Sequence, residues 1–210
     1  MINKGVALFY GLLLGDGCLS KVGKHNFVSI VGNLKTDEMS MIKISILIEK
    51  VRNKPVKVYK REKYGKLEIC ISDKSLFEMI NGLGFPIGKK GTNLCIAPAL
   101  QGFIKDVISG YFATDGCFLI INNNGIKYPR LEFSSIARPL LLQVRDVLRN
   151  NGIRGEVYVS HKKNFRSNNP LYRLQINGKA NMIKFKREIG FFNSKHADKF
   201  AFFSDNFINK

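Results

Sequence analysis

Two short stretches of this chain end an apolar run on a carboxylate. FYGLLLGDGC (residues 9–18) sets Asp16 between Gly15 and Gly17, and ISGYFATDGC (residues 108–117) sets Asp115 between Thr114 and Gly116. Gly11 and Gly15 lie four apart on one helix face, as do Gly110 and Thr114, and small residues at that spacing let a second backbone approach closely. Helices packed on these faces would bring Asp16 and Asp115 together at their ends. Each carboxylate would then stand at a helix C-terminus, where free carbonyls and the negative end of the dipole disfavour an anion. The placement makes sense if a divalent cation sits between each aspartate and the last carbonyls, those of Gly15 and Thr114. Mg²⁺ takes oxygen ligands and commonly uses one or two carboxylates plus phosphate. Asp-Gly is also a plain turn signal. Two copies, each after a small-xxx-small helix and before Cys and a strand, favour the metal.

The elements that must hold these residues repeat. After the first Asp-Gly come strands at 18–22 and 27–31, then a helix over 36–51 with Met39, Ile42, Ile46 and Leu47 at helical spacing and Thr36 or Asp37 as N-cap. Strands at 55–61 and 66–72 flank a Tyr64-Gly65 turn, and a helix over 73–83 stops at Gly84. The second half repeats this order: strands 117–121 and 130–134, helix 138–150, strands 156–162 and 172–177, helix 179–188. VKVY at 56–59 answers EVYV at 156–159, and LEICISDK at 67–74 answers YRLQINGK at 172–179. Each half therefore reads helix, two strands, helix, two strands, helix. The expected domains are 1–90 and 104–210, with 91–103 as connector.

Charge narrows the partner. The 210 residues carry 34 Lys plus Arg against 16 Asp plus Glu, a net +18, and hydrophobic residues make up 45%. That is a folding composition with a polyanionic partner. Basic residues outnumber acidic ones by 16 to 8 in 1–103 and by 18 to 8 in 104–210, so the excess belongs to an extended surface and not to a tail. No apolar run reaches the ~20 residues of a membrane span, and no secretory leader is read. Cys18, Cys70, Cys95 and Cys117 form no C-x-x-C pair and read as reduced thiols. His25, His161 and His196 have no zinc or His-Asn-His spacing, and no Gly-rich phosphate loop precedes Lys-Ser or Lys-Thr.

FYGLLLGDG and ISGYFATDG both resemble the LAGLIDADG signature of homing endonucleases, and the αββαββα order of each half is similar to that fold. The signature's first Asp is replaced by Leu14 and Ala113; its second, which carries the metal in the family, is kept as Asp16 and Asp115. The resemblance implies an α+β protein of two pseudo-symmetric halves, whose two antiparallel four-stranded sheets form a saddle on the DNA major groove. It implies a monomer that needs no protein partner and cuts a long, asymmetric double-stranded DNA target. Mg²⁺, with Mn²⁺ or another divalent ion as substitute, would activate water and polarise the scissile phosphate, leaving short 3′ overhangs. An intron-encoded, free-standing enzyme of a prokaryotic cytoplasm or an organelle matrix is expected, and not an intein. An intron RNA maturase and a non-cleaving DNA-binding protein are the alternatives on the same fold; retention of both aspartates favours the nuclease.

By the same resemblance, Lys89 and Lys195, each four beyond a Gly-Phe phenylalanine, stabilise developing charge, with Lys90 a near-equal choice in the first half. Asn33 and Ser135 correspond to solvent-positioning residues. Base reading falls to strand residues opposite the apolar face. These are Lys57, Tyr59, Arg61, Lys66 and Glu68 in the first half. In the second they are Arg130, Glu132, Glu156, Tyr158, Ser160, Lys162, Arg173, Gln175 and Asn177. The face of the first strand in each half stays open. Loops 21–26, 122–127 and 162–169 are expected to touch phosphates.

Overall fold

A computed structural model of the chain describes residues 2–161 and 169–207. They form two compact units, Met1–Lys90 with Ala97–Thr114, and Gly91–Ile96 with Asp115–Lys210. The expected connector is thereby shared: 91–96 lies in the second unit and 97–103 in the first.

In the first unit, α1 (Lys4–Asp16) starts at Asn3, whose side-chain oxygen accepts the Val6 N–H at 3.0 Å. It leads into β1 (Gly17–Val22), β2 (His25–Asn33), α2 (Glu38–Arg52), β3 (Tyr59–Arg61), β4 (Lys66–Ser72) and α3 (Lys74–Gly82). The strands make one antiparallel sheet in the order β1-β2-β4-β3. Leu67, Ile69 and Ile71 turn to the buried face, as period-2 alternation in a strand implies, and Leu19, Val28 and Ile30 join them there. β3 is shorter than the expected 55–61. Side chains of α2 take the backbone groups that a longer ladder would use: Glu49 accepts the Val56 N–H at 2.9 Å, and Arg52 donates to the Pro55 carbonyl at 3.0 Å. Lys57 therefore lies outside the strand.

The helix of the second motif, α4 (Ile104–Asp115), packs in this first unit through Thr114. It meets α1 backbone to backbone. A Cβ placed on Gly11 would lie 2.0 Å from the Val107 carbonyl oxygen, and one on Gly110 would lie 2.2 Å from that of Leu8. No side chain fits there, so glycine at both positions is a condition of the crossing. Tyr10, Leu12, Leu13, Tyr111 and Phe112 bury their side chains around it.

The second unit contains β5 (Gly116–Asn123), β6 (Ile126–Ser135), α5 (Arg138–Asn150), β7 (Glu156–His161), β8 (Leu171–Asn177) and α6 (Lys179–Glu188), with sheet order β5-β6-β8-β7. The two halves thus share one plan, as their sequences imply. A helix that the sequence reading left out follows: α7 (Ser194–Phe207). Its His196, Phe200 and Phe203 belong to a phenylalanine cluster with Phe118, Phe185 and Phe191, in which Phe185 stacks on Phe191 at 5.5 Å. Expected loops 21–26 and 122–127 are tight hairpins. Asn124 and Gly125 turn the second with φ of 50° and 84°, as a two-residue hairpin turn requires.

Two stability experiments follow from this packing. Gly11→Ala should cost about 3 kcal/mol or more in urea unfolding, since the helices must part. Gly82→Ala, with nothing packed within 4 Å of the added carbon among the described residues, should be neutral or stabilising by up to about 1 kcal/mol. His196 is 8% exposed, and burial, with the charges of Lys199 and Lys195 acting the same way, lowers its pKa from 6.5 to about 4. Because the folded-state value is the lower one, the neutral ring's contribution is complete above pH ~6.5 and is lost as pH falls towards ~4. The loss should total roughly 3 kcal/mol, and His196→Leu should flatten that part of the stability–pH curve in guanidinium titrations.

Candidate metal centre and nucleic-acid interface

The last turn of α1 gathers oxygen atoms. The Lys90 ammonium donates to the carbonyls of Leu13 at 3.2 Å, Leu14 at 3.0 Å and also Gly15. A cation on three terminal carbonyls is the favoured charge at this end of the helix dipole. Asp16, the next residue, keeps solvent on one side while protein crowds its others. That burial raises its carboxyl pKa; the Lys90 ammonium pulls it down and the Asp37 carboxylate pushes it up. An anion disfavoured by its surroundings, beside carbonyls that already attract an ammonium, is an oxygen donor set that suits a divalent ion. Among the described residues no three His, Cys, Asp or Glu side chains come together. The chain here offers a carboxylate and backbone carbonyls, which is how Mg²⁺ is held when water and phosphate complete its shell.

Lys89 is exposed, and it is its neighbour Lys90 that reaches the motif helix. Asn33 ends β2 in a turn: its side-chain oxygen accepts the Lys35 N–H at 2.9 Å, while its own N–H donates to Asp37 at 2.6 Å. Asp37, read from sequence only as an N-cap, makes no cap bond to α2 and belongs instead to the surroundings of Asp16.

In the second motif, Thr114 donates its hydroxyl to the Tyr111 carbonyl at 3.2 Å, one turn back in α4, and Asp115 is half-buried. Lys195 stands in the first turn of α7, with its backbone N–H on the Asn193 side chain at 3.0 Å. One turn later Lys199 donates to the Phe118 carbonyl of β5 at 3.3 Å. Its four-residue spacing from Lys195 sets both lysines on one side of α7, a helix that the sequence pattern does not reveal. Ser135 mirrors Asn33, its hydroxyl oxygen accepting the Ala137 N–H at 3.0 Å before α5.

The sheet faces away from the helices carry the expected base-reading side chains. In the first, Tyr59 pairs in register with Glu68, and Arg61 with Lys66, while Lys60 turns to the helix side and meets Glu38 at 2.8 Å. Arg61 and Lys66 both grip Glu68, at 2.9 and 3.2 Å. For the first strands the structure makes the choice that alternation left open: Leu19 and Phe118 are buried, so Cys18 and Ser20, and Cys117 and Leu119, take the open faces. In the second sheet Arg130, Glu132, Tyr158, Arg173, Gln175 and Asn177 share the open face, and so does Glu156. Ser160 does not hold its expected place. A register shift between Val159 and His161 takes it out of the pairing, so His161 stands opposite Leu171. Lys162 and most of loop 162–169 lie outside the described residues. The four cysteines are free thiols.

The Lys90 contact is open to direct measurement. Lys90→Met should lower unfolding free energy in EDTA by about 1–2 kcal/mol, the value of a charged hydrogen bond at a helix C-terminus. Lys89→Met should stay within about 0.5 kcal/mol of the parent.

Residues 103–190 match the family model of a LAGLIDADG-like domain. The probable translation initiation factor IF-2 of Methanocaldococcus jannaschii is 26% identical over 198 residues, a match spanning 90% of this chain but only 15% of that protein. Solved structures similar to this chain include mesophilic variants of the homing endonuclease I-DmoI, with a TM-score of 0.60 and 20% identity over 89% of this chain and 96% of that one. The I-LtrWI LAGLIDADG homing endonuclease bound to target DNA has a TM-score of 0.66 and 13% identity, covering 99% of this chain and 92% of its own. The LAGLIDADG meganuclease I-AabMI bound to uncleaved DNA gives 0.63 and 14%, with the same coverage. I-DmoI has also been solved with DNA and Mn. The family model covers the second motif and its sheet, and the architecture of two four-stranded sheets places the whole chain in the fold of these structures.

Proposed function

We propose that this chain is a site-specific endonuclease that uses divalent metal to hydrolyse one phosphodiester in each strand of an asymmetric double-stranded DNA target, leaving short 3′ overhangs. The observation that carries the reading is the last turn of α1, where Asp16 meets carbonyls that already hold a cation, in a sequence that repeats the same motif at Asp115. A likeness to DNA-bound homing endonucleases, solved with Mn or Ca in the case of I-DmoI, supports the partner and the type of ion.

Asp16 and the Gly15 carbonyl would hold the ion of the first motif, and Asp115 with the Thr114 carbonyl that of the second; each motif would serve one strand. Mg²⁺ bound there, or Mn²⁺ in its stead, supplies Lewis-acid polarisation of the phosphate and lowers the pKa of the attacking water. Lys90 sets a fixed positive charge beside Asp16, where charge develops on phosphate oxygens. Lys195 and Lys199 are the corresponding candidates in the second half. The net +18 charge attracts the duplex through its phosphates, and the open sheet faces offer Arg, Lys, Gln and Asn to base edges. Among the described residues no helix is long and apolar enough to cross a membrane. The curated relative carries its matching segment within a much longer chain, so the activity is assigned to this segment alone.

The test uses a plasmid bearing the uninterrupted form of the gene in which this coding sequence lies. The protein should linearise it in Mg²⁺ and leave it intact in EDTA. Asp16→Asn and Asp115→Asn should each keep gel-shift affinity and lose double-strand cleavage at least roughly a hundredfold. Undiminished cutting by either variant removes that aspartate from the centre; binding to intron RNA with no cutting of DNA favours the maturase.

A further inference from the structure

The open face of the second sheet carries a carboxylate that is itself buried. Glu132 stands in β6 between Leu131 and Phe133, which both face the core, yet only 7% of its surface is exposed. Neighbouring side chains enclose it. Gln175 donates to Oε1 at 2.7 Å and Arg130 to the same oxygen at 3.4 Å, while Arg173 pairs with Oε2 at 3.5 Å. Arg130 is fixed at its other edge by the Asn177 side chain, to which its Nε donates at 2.8 Å. The strands set up this arrangement, because Glu132 pairs in register with Gln175 and Arg130 with Asn177.

Both oxygens of Glu132 are therefore occupied, and the carboxylate has little access to a cytosine amino group. Its cations are in a different state. Arg173 is gripped through one Nη and keeps 35% of its side chain exposed, while its buried Nε has no hydrogen-bond partner among the described residues. Loose arginines on a basic surface bind phosphate anywhere along a duplex, which adds affinity without sequence information. An arginine whose rotamer is fixed presents its planar fork in one direction, as bidentate contact with guanine O6 and N7 requires.

Resting on the DNA-binding reading above, we infer that Glu132 is a positioning residue that converts Arg130 and Arg173 from general phosphate binders into readers of guanine edges, and does not itself contact a base. Glu68, gripped by Arg61 and Lys66, is a more open version of the device in the first sheet.

A binding selection on a randomised duplex DNA library decides the matter, run in EDTA so that cleavage plays no part. The parent protein should enrich a sequence with fixed guanines in the half read by this sheet. Glu132→Gln keeps the shape and removes one negative charge. It should bind random duplex as tightly as the parent or more so, while discrimination falls about tenfold at those guanines alone. Arg173→Lys, which keeps the charge but loses the fork, should lose guanine preference at a subset of the same positions with an unchanged salt slope. It also serves if Glu132→Gln melts early. An enriched sequence that is the same for the parent and both variants overturns the inference, as does a uniform loss across all positions, which marks a merely structural role. Enrichment of no sequence by the parent overturns the DNA-reading assignment and the inference with it.

Discussion

The contact on which the first unit depends is the crossing of α1 and α4 at Gly11 and Gly110. Two backbones touch there, with a carbonyl oxygen where any other residue would place its Cβ. A contact this close has no tolerance for a side chain, and packed interiors do not yield by the ångström needed. It explains why each apolar stretch carries small residues in its middle and large aromatic ones beside them. Tyr10 and Tyr111 flank the glycines and are fully buried, Tyr10 donating to the Leu83 carbonyl at 3.4 Å. Motif helices so fixed deliver their final residues from rigid elements, and a site built on helix ends is held more closely than one built on loops.

A second theme is how a chain with 34 basic residues uses its few acids. Several carboxylates stand with cations, some on the same strand and some on a neighbouring element. Asp16 lies near Lys90, Asp73 caps α3 while pairing with Arg52 at 3.0 Å, Glu68 holds Arg61 and Lys66, and Glu132 holds Arg130 and Arg173. On an exposed surface such pairs add little stability. Their value here is orientation: a long basic side chain that would sample many rotamers is held in one. On the DNA-binding reading proposed above, that ordering matters because phosphate needs only charge whereas a base edge needs direction.

Much of the architecture was legible before any coordinates. The repeat, the helix order and the alternation of Leu67, Ile69 and Ile71 against Lys66, Glu68 and Cys70 all survive in the structure, because period and turn chemistry are local properties. Gly84 ends α3 with φ of 85°, and Asp73 caps it, both as their residue types imply. Less legible were features decided by competition. β3 lost four expected residues to side chains of α2, and Ser160 lost its face to a register shift. Helix α7 was not read because its polar residues mask an apolar stripe whose partners lie far away in the chain.

By itself the sequence determined the duplicated motif, the glycines that permit close helix packing, the basic surface and the alternating faces, since each follows from residue type at a fixed spacing. Tertiary structure alone decided which lysine reaches the last turn of α1. Lys89 and Lys90 are adjacent and chemically identical; only the path of the chain after α3 brings the Lys90 ammonium onto the Leu13, Leu14 and Gly15 carbonyls and leaves Lys89 in solvent. The fold likewise turned Glu132 from a candidate base reader into the centre of a side-chain network, because register between β6 and β8 sets its neighbours. Spacing along one element is written in the chain, whereas the approach of one element to another depends on packing between distant segments.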